Sequence, residues 1–202
     1  MISLGAIALS GGKSSRMGQD KALLEIAGKT LLQKTCEVAQ TCDANPILII
    51  TPWQERYKSI SLPRQCCFIP ELNPQSPLTG FALGLSFIET DWVLLLACDL
   101  PNLQSEIVKT WSQELVNLPS EAIAYLPKHS KGWEPLCGFY RSSCVESLKS
   151  YIQTGKYSFQ DWLGRSLVIE IPNIDPQMLL NCNTLDDFLI AKKRERPTFA
   201  DV

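Results

Sequence analysis

Leu4-Gly5-Ala6-Ile7-Ala8-Leu9-Ser10-Gly11-Gly12-Lys13-Ser14-Ser15-Arg16-Met17-Gly18-Gln19-Asp20-Lys21 passes from an unbroken apolar run into a loop of glycines and cations. An apolar run without polar alternation is the mark of a strand covered on both faces. The adjacent Gly11 and Gly12 let the chain turn sharply and expose several N–H groups, and Gly18 allows a second turn. Arg16 adds a planar guanidinium and Lys21 an ammonium. Amides and two cations directly after a buried strand describe a cradle for a polyphosphate. The plainer alternative is a flexible loop with solvated charges. Two familiar phosphate motifs are excluded by spacing. A Walker A loop ending at Gly12-Lys13-Ser14 would need a glycine where Ile7 stands, and a dinucleotide fingerprint started at Gly12 meets Ser14 and Met17 instead of glycines.

Outward from this loop, apolar runs alternate with segments of helical period. Strands are expected at Leu4–Leu9, Ile47–Ile50, Cys66–Ile69, Val93–Ala97, Ala122–Leu126, Leu136–Tyr140 and Leu167–Ile171. Helices are expected at Thr30–Thr41, with Leu31, Leu32, Thr35, Val38 and Ala39 on one face, and at Thr79–Glu89, Ser105–Leu118, Ser143–Ile152 and Leu185–Lys193. The pattern predicts an α/β fold of three layers, a mostly parallel twisted sheet with helices on both faces, Rossmann-like in its winding. Ligands bind such sheets beyond the carboxyl ends of the strands. The segments just after Leu9, Thr51, Ile69, Ala97 and Tyr140 are therefore where a ligand site is expected.

The chain has 202 residues, a length that suits one domain, taken as 1–194, with 195–202 as a loose tail. Nineteen Lys and Arg against twenty-one Asp and Glu give a net charge of -2, which argues against a nucleic-acid binder but not against a local pocket for a small anion. No apolar run is long enough to span a bilayer, and the N-terminus lacks the basic segment of a signal peptide, so no membrane association is expected. The eight cysteines include no C-x-x-C pair, and there is one histidine, His129. They are read as thiols of a reducing cytoplasm rather than metal ligands or disulfides.

The first loop is similar to L-x-G-G-x-S-x-R-M-G-x-D-K, which opens nucleotidyltransferases that activate small phosphorylated acceptors. The form with Gly11-Gly12 and Asp20-Lys21 resembles the molybdenum cofactor guanylyltransferases of the molybdopterin nucleotidyltransferase family. The resemblance continues through Pro77-Leu78-Thr79-Gly80, Ala97-Cys98-Asp99-Leu100-Pro101, Glu134-Pro135-Leu136 and Asn181-Cys182-Asn183-Thr184. It implies a nucleotidyltransferase fold and transfer of GMP from GTP to the phosphate of molybdenum-molybdopterin, with pyrophosphate released and Mg2+ as cofactor. It implies GTP contacts from Leu9, Ser10, Gly11, Gly12, Lys21, Glu71, Gly80 and Asp99, catalytic roles for Arg16, Lys21 and Asp99, and magnesium on Asp99. Transient contact with molybdenum-insertion proteins or apo-molybdoenzymes would follow.

Asp99 also invites this reading from its position. A carboxylate ending the most apolar strand suits magnesium, which takes one or two carboxylates plus phosphate oxygens and water. The alternative is a cap for the next helix. Glu71 stands where the family often has a nucleotide-contacting Asp, and Ser76 replaces the family's usual Gly before Pro77. Asp20 is either a partner for Lys21 or Arg16 or a plain surface carboxylate. Asn183 or Thr184 should cap the last helix, with Asn181 and Asn183 as candidates for holding acceptor or metal. Lys131, Arg141, Lys149 and Lys156 are the candidate cations for the acceptor, and His129 reads as a loop residue. Gly11 favours guanine, because cytidylyl relatives would carry alanine there. Two other readings stay open: cytidylyl or sugar-phosphate activation, and an inactive nucleotide-binding interaction protein.

Overall fold

The structure is a computed structural model, and it describes residues 2–11 and 20–194. The tail 195–202 lies outside the described residues. In chain order the strands are β1 (Leu4–Leu9), β2 (Glu25–Ile26), β3 (Lys29–Thr30), β4 (Ile47–Thr51), β5 (Cys66–Pro70), β6 (Trp92–Ala97), β7 (Ala124–Leu126), β8 (Lys128–His129), β9 (Gly132–Trp133), β10 (Cys137–Arg141) and β11 (Val168–Glu170). The helices are α1 (Leu31–Thr41), α2 (Pro77–Leu85), α3 (Ser105–Gln113), α4 (Val145–Gln153), α5 (Phe159–Leu163) and α6 (Leu185–Arg194).

Seven strands form one sheet in the order β11-β7-β10-β6-β1-β4-β5, while β2-β3 and β8-β9 are separate hairpins. Successive side chains of a strand face opposite layers. Ala6 and Ala8 of β1 therefore join Leu32, Cys36, Val108 and Trp111 on the α1/α3 side, whereas Ile7 packs with Phe81, Leu85 and the aromatics of α4 and α5 on the other. Every residue of β4 and β6 is buried, as the unbroken apolar runs require.

The sheet is mixed because β10 runs antiparallel to both β6 and β7. A short hairpin-bearing connection from β7 allows an antiparallel return but not a parallel crossover. This corrects one expectation. The segment after Tyr140 is not at the ligand end: Arg141 lies opposite Trp92 at the start of β6, and Cys137 opposite Leu96 near its end. The amino end of β10 faces the ligand side instead.

Local chemistry explains the shifted helix bounds. α1 follows Thr30, whose hydroxyl accepts from Gln33 N while the Gln33 side chain accepts from Thr30 N. α2 begins at Pro77 rather than Thr79, because Ser76 and Thr79 form the same reciprocal cap and proline suits the first helical position. α3 ends at Gln113, and residues 114–117 wind on as a 3-10 turn. The five-residue α5 is too short to show a period, yet it buries Phe159, Trp162 and Leu163.

Gly138 of β10 is fixed by close approach. A Cβ there would stand 2.8 Å from the Tyr125 carbonyl oxygen and 2.6 Å from Leu126 Cδ2. Gly138→Ala should destabilise the protein by about 1–3 kcal/mol through overpacking. Urea denaturation followed by circular dichroism measures it, and an unchanged midpoint would contradict the close approach.

Candidate active site

The carboxyl ends of β1, β4, β5 and β6 open onto a cavity of about 470 Å3. Leu9, Ser10 and Gly11 at the end of β1, Glu71 after β5, Gly80 in α2, Asp99 after β6, and Lys21 all line it. Of the residues implied for GTP, Gly12 is missing from this set because it lies, like Arg16, outside the described residues.

Asp99 sits where β6 stops, and it is not a helix cap. α3 starts further along the chain behind Gln104, whose side chain makes no capping bond. Asp99 Oδ1 is buried without a hydrogen-bond partner among the described residues. Its Oδ2 lies 3.6 Å from Lys21 Nζ. Burial raises the Asp99 carboxyl above the ordinary aspartate range, and Lys21 partly opposes this. Lys21 Nζ also donates to Asn183 Oδ1 at 2.9 Å, and the Asp99 carbonyl accepts from Cys182 N at 2.8 Å. Residues 181–184 are thus tied to the end of β6. Lys21 is consequently no solvated loop cation: its side chain is 21% exposed. Among the described residues, no three Asp, Glu, His or Cys side chains gather into a metal cage. A single carboxylate with an orphaned oxygen beside space for phosphate oxygens is nonetheless a donor set magnesium uses, so Asp99 fits that ion.

Glu71 occupies a slot between two glycines. A Cβ on Gly11 would come within 3.2 Å of its Oε2, and one on Gly80 within 3.2 Å of its Oε1. Oε1 is buried with no hydrogen-bond partner among the described residues. Burial raises the carboxyl, with the Thr79 hydroxyl opposing it. A buried acceptor without a donor is costly unless a ligand supplies one.

The two ends of the glycine loop are held by residues that carry no motif in the sequence. Tyr57, fully buried, donates to Asp20 Oδ2 at 2.8 Å and lies 3.4 Å from the Ser10 carbonyl. Asp20 also accepts from Ala22 N at 3.1 Å, which caps the turn carrying Lys21, and pairs with Arg56 at 3.5 Å. It therefore orients Lys21 through the backbone rather than by an ion pair. Trp53 lines the cavity with the Arg56 guanidinium 4.5 Å from its ring centroid. Thr51, at the end of β4, is buried and accepts from Trp53 N. Ser76, Pro77 and Gly80 form a wall of the cavity.

Next to this end of β6, Thr184 caps α6: its hydroxyl accepts from Asp187 N, while Asp187 Oδ2 accepts from the Asn183 and Thr184 amides. Asn183 is joined to Lys21. Asn181 is exposed one residue before Cys182. Three candidate cations are placed elsewhere. Arg141 lies at the opposite end of the strands, beside the start of β6, bonded to the Ala122 and Pro119 carbonyls and stacked over Trp92. Lys149 pairs with Glu146 and Lys156 with Asp161. His129 is in β8, with Nε2 3.7 Å from Glu134 Oε2.

Comparison with known proteins identifies the family and the fold. The model of the MobA-like NTP transferase domain matches residues 6–168. A probable molybdenum cofactor guanylyltransferase of Trichormus variabilis is 52% identical over 190 residues, 94% of this chain and 91% of that protein. A counterpart in Synechococcus elongatus is 41% identical, covering 93% of this chain and 97% of its own length. Among solved structures, molybdopterin-guanine dinucleotide biosynthesis protein A from Archaeoglobus fulgidus superposes with a TM-score of 0.73 at 22% identity, over 94% of this chain and 97% of that one. The 2-C-methyl-D-erythritol 4-phosphate cytidylyltransferase of Thermus thermophilus reaches 0.66 at 14% identity, over 96% and 98%. These two likenesses show a shared nucleotidyltransferase fold. The family match and the near relatives go further: the chain belongs to the MobA-like NTP transferase family, among the molybdenum cofactor guanylyltransferases.

Proposed function

We propose that the cavity binds GTP with its guanine toward Glu71 and its triphosphate toward Lys21 and Asp99, and that the enzyme transfers GMP to the phosphate of molybdenum-molybdopterin. The observation that carries this reading is the pair of orphaned carboxylate oxygens, Glu71 Oε1 and Asp99 Oδ1, in one cavity. Guanine presents N1–H and the 2-amino group side by side, two donors that suit one carboxylate. Cytosine offers acceptors at N3 and O2 on its corresponding edge, which a carboxylate repels. The geometry thus favours guanylyl over cytidylyl transfer.

In the reaction an acceptor phosphate oxygen forms a bond to the α-phosphorus while the bond from that phosphorus to the bridging α–β oxygen breaks and pyrophosphate leaves. The acceptor is already an anion, so no strong base is required. The task of the chain is alignment and charge compensation. Lys21, held between Asp99 and Asn183, places its ammonium at the triphosphate end of the cavity. Asp20 and Tyr57 fix the backbone that carries it, and Arg16 is proposed as a second cation there. Trp53 and Pro77 shield the base from water. Asp99 would hold magnesium, which when bound supplies positive charge to the triphosphate.

Residues 1–194 are proposed to act as one domain, in the cytoplasm; eight free thiols support a reducing compartment. Among the described residues no helix is long and apolar enough to cross a membrane. The product would pass to molybdenum-insertion proteins or apo-molybdoenzymes. The test is direct. With α-labelled GTP, magnesium and molybdenum-molybdopterin, the label should enter the guanine dinucleotide as pyrophosphate appears. A protein that binds GTP but moves no label to the acceptor contradicts the reading.

A further inference from the structure

We infer that the β8–β9 hairpin is the acceptor side of the site, with Lys131 and Lys128 receiving the phosphate monoester of the acceptor and His129 and Glu134 positioning them. The inference deepens the proposed function and rests on it. β7 runs parallel to β11 and antiparallel to β10, so the hairpin rises from the ligand end of the sheet and returns through Leu136, which lines the cavity. The root of the hairpin is next to the metal-binding candidate. The Glu134 side chain is 13% exposed and faces the His129 imidazole at 3.7 Å. Asp99 is near enough that its charge adds to burial in raising the Glu134 carboxyl, with His129 opposing.

The hairpin is built to hold one shape. His129 Nδ1 accepts from Lys131 N at 3.1 Å, so the imidazole ties the turn to Glu134. The Gln160 side chain clamps both backbone groups of Trp133, accepting from its N–H at 3.1 Å and donating to its carbonyl at 2.7 Å. Gly132 adopts φ +122°, and a Cβ there would meet Gln160 Oε1 at 2.6 Å. Lys128 is held over Trp133, 4.9 Å from the ring centroid.

This rigid turn presents positive charge. Lys128 and Lys131 are exposed, and neither has a carboxylate within ion-pair distance among the described residues. The other candidate cations for the acceptor, Arg141, Lys149 and Lys156, are engaged away from the cavity. In a chain with a net charge of -2, two ammonium groups without a carboxylate partner among the described residues, on a hairpin whose base carries Glu134, are a local feature rather than a general basicity. A dianionic phosphate monoester is the ligand chemistry that matches them, and GTP already occupies the Lys21 side.

Steady-state kinetics with GTP and acceptor varied separately tests this. Lys131→Glu should raise the acceptor KM roughly tenfold or more, the scale of a charge-assisted bond. Its GTP affinity, measured by calorimetry without acceptor, should stay unchanged. Lys131→Arg should stay near wild type. Lys128→Glu gives a second variant should Lys131→Glu fold poorly. His129→Ala should raise the acceptor KM, and His129→Asn, whose amide oxygen still accepts from Lys131 N, should recover part of the loss. Wild-type transfer with an unmoved acceptor KM in both Glu variants overturns the hairpin assignment. So does an equal loss of GTP affinity. Failure of the wild type to transfer GMP refutes instead the functional reading beneath it.

Discussion

Asp99→Asn should lower guanylyl transfer by on the order of 10³-fold or more while leaving the protein folded. Asn retains the shape and one oxygen acceptor but loses the charge that would hold a divalent cation. A helix cap would tolerate the change, since Asn caps as well as Asp. No such cap exists, because α3 begins behind Gln104. The stability of the variant carries independent information. Burial raises the Asp99 pKa above its unfolded value. Between those two values the folded state binds more protons than the unfolded, so stability falls as pH rises through that window. Above it, the ionised Asp99 costs stability, and the neutral Asn removes that cost. Thermal unfolding at neutral pH should therefore show an unchanged or higher Tm in a protein that has lost turnover. Near-wild-type transfer by the folded variant would remove Asp99 from the metal role.

Lys21→Ala should reduce kcat/KM for GTP by roughly 10²-fold or more, the scale of losing one preorganised charge contact. Its surroundings add a second consequence. Lys21 stands 3.6 Å from Asp99 and donates to Asn183, so its removal leaves a buried carboxylate short of a cation and frees residues 181–184 from the first loop. A lower Tm at neutral pH should accompany the loss of activity, and added magnesium with GTP should restore part of it by ligand binding. Differential scanning fluorimetry with and without nucleotide measures both effects. Full activity in Lys21→Ala would reject the phosphate-cradle assignment.

The parts of the molecule that are legible in the sequence are those written in consecutive residues. Leu4–Leu9, Ile47–Ile50 and Val93–Ala97 are continuous apolar runs, and all are central strands. The spacing of Leu31, Leu32, Thr35, Val38 and Ala39 marks the buried face of α1. Glycines after β1 and a carboxylate after β6 point to the ligand end, because a parallel sheet presents both there. The hidden parts depend on residues distant in the chain. The Glu71 slot is made by Gly11 and Gly80 together, and the loop ends meet through Tyr57, far from both in sequence. The direction of β10 cannot be read from its apolar pattern, since a strand covered on both faces looks the same either way round. The two-residue strands β8 and β9 are too short to have a period, so from sequence the hairpin reads as a loop with a stray histidine.

The central claim is that one buried carboxylate, Glu71, selects guanine in a cavity whose other end handles the triphosphate. It is tested most directly by comparing GTP with CTP as donor to molybdenum-molybdopterin, in the wild type and in Glu71→Gln. A site built to hydrogen-bond one base leaves its polar groups unpaired against another. Wild-type kcat/KM should favour GTP by on the order of 10²-fold or more, and Glu71→Gln should erase most of that preference by setting an amide donor against the guanine donors. Comparable use of the two nucleotides by the wild type, or an intact preference in the folded Glu71→Gln protein, would contradict the account.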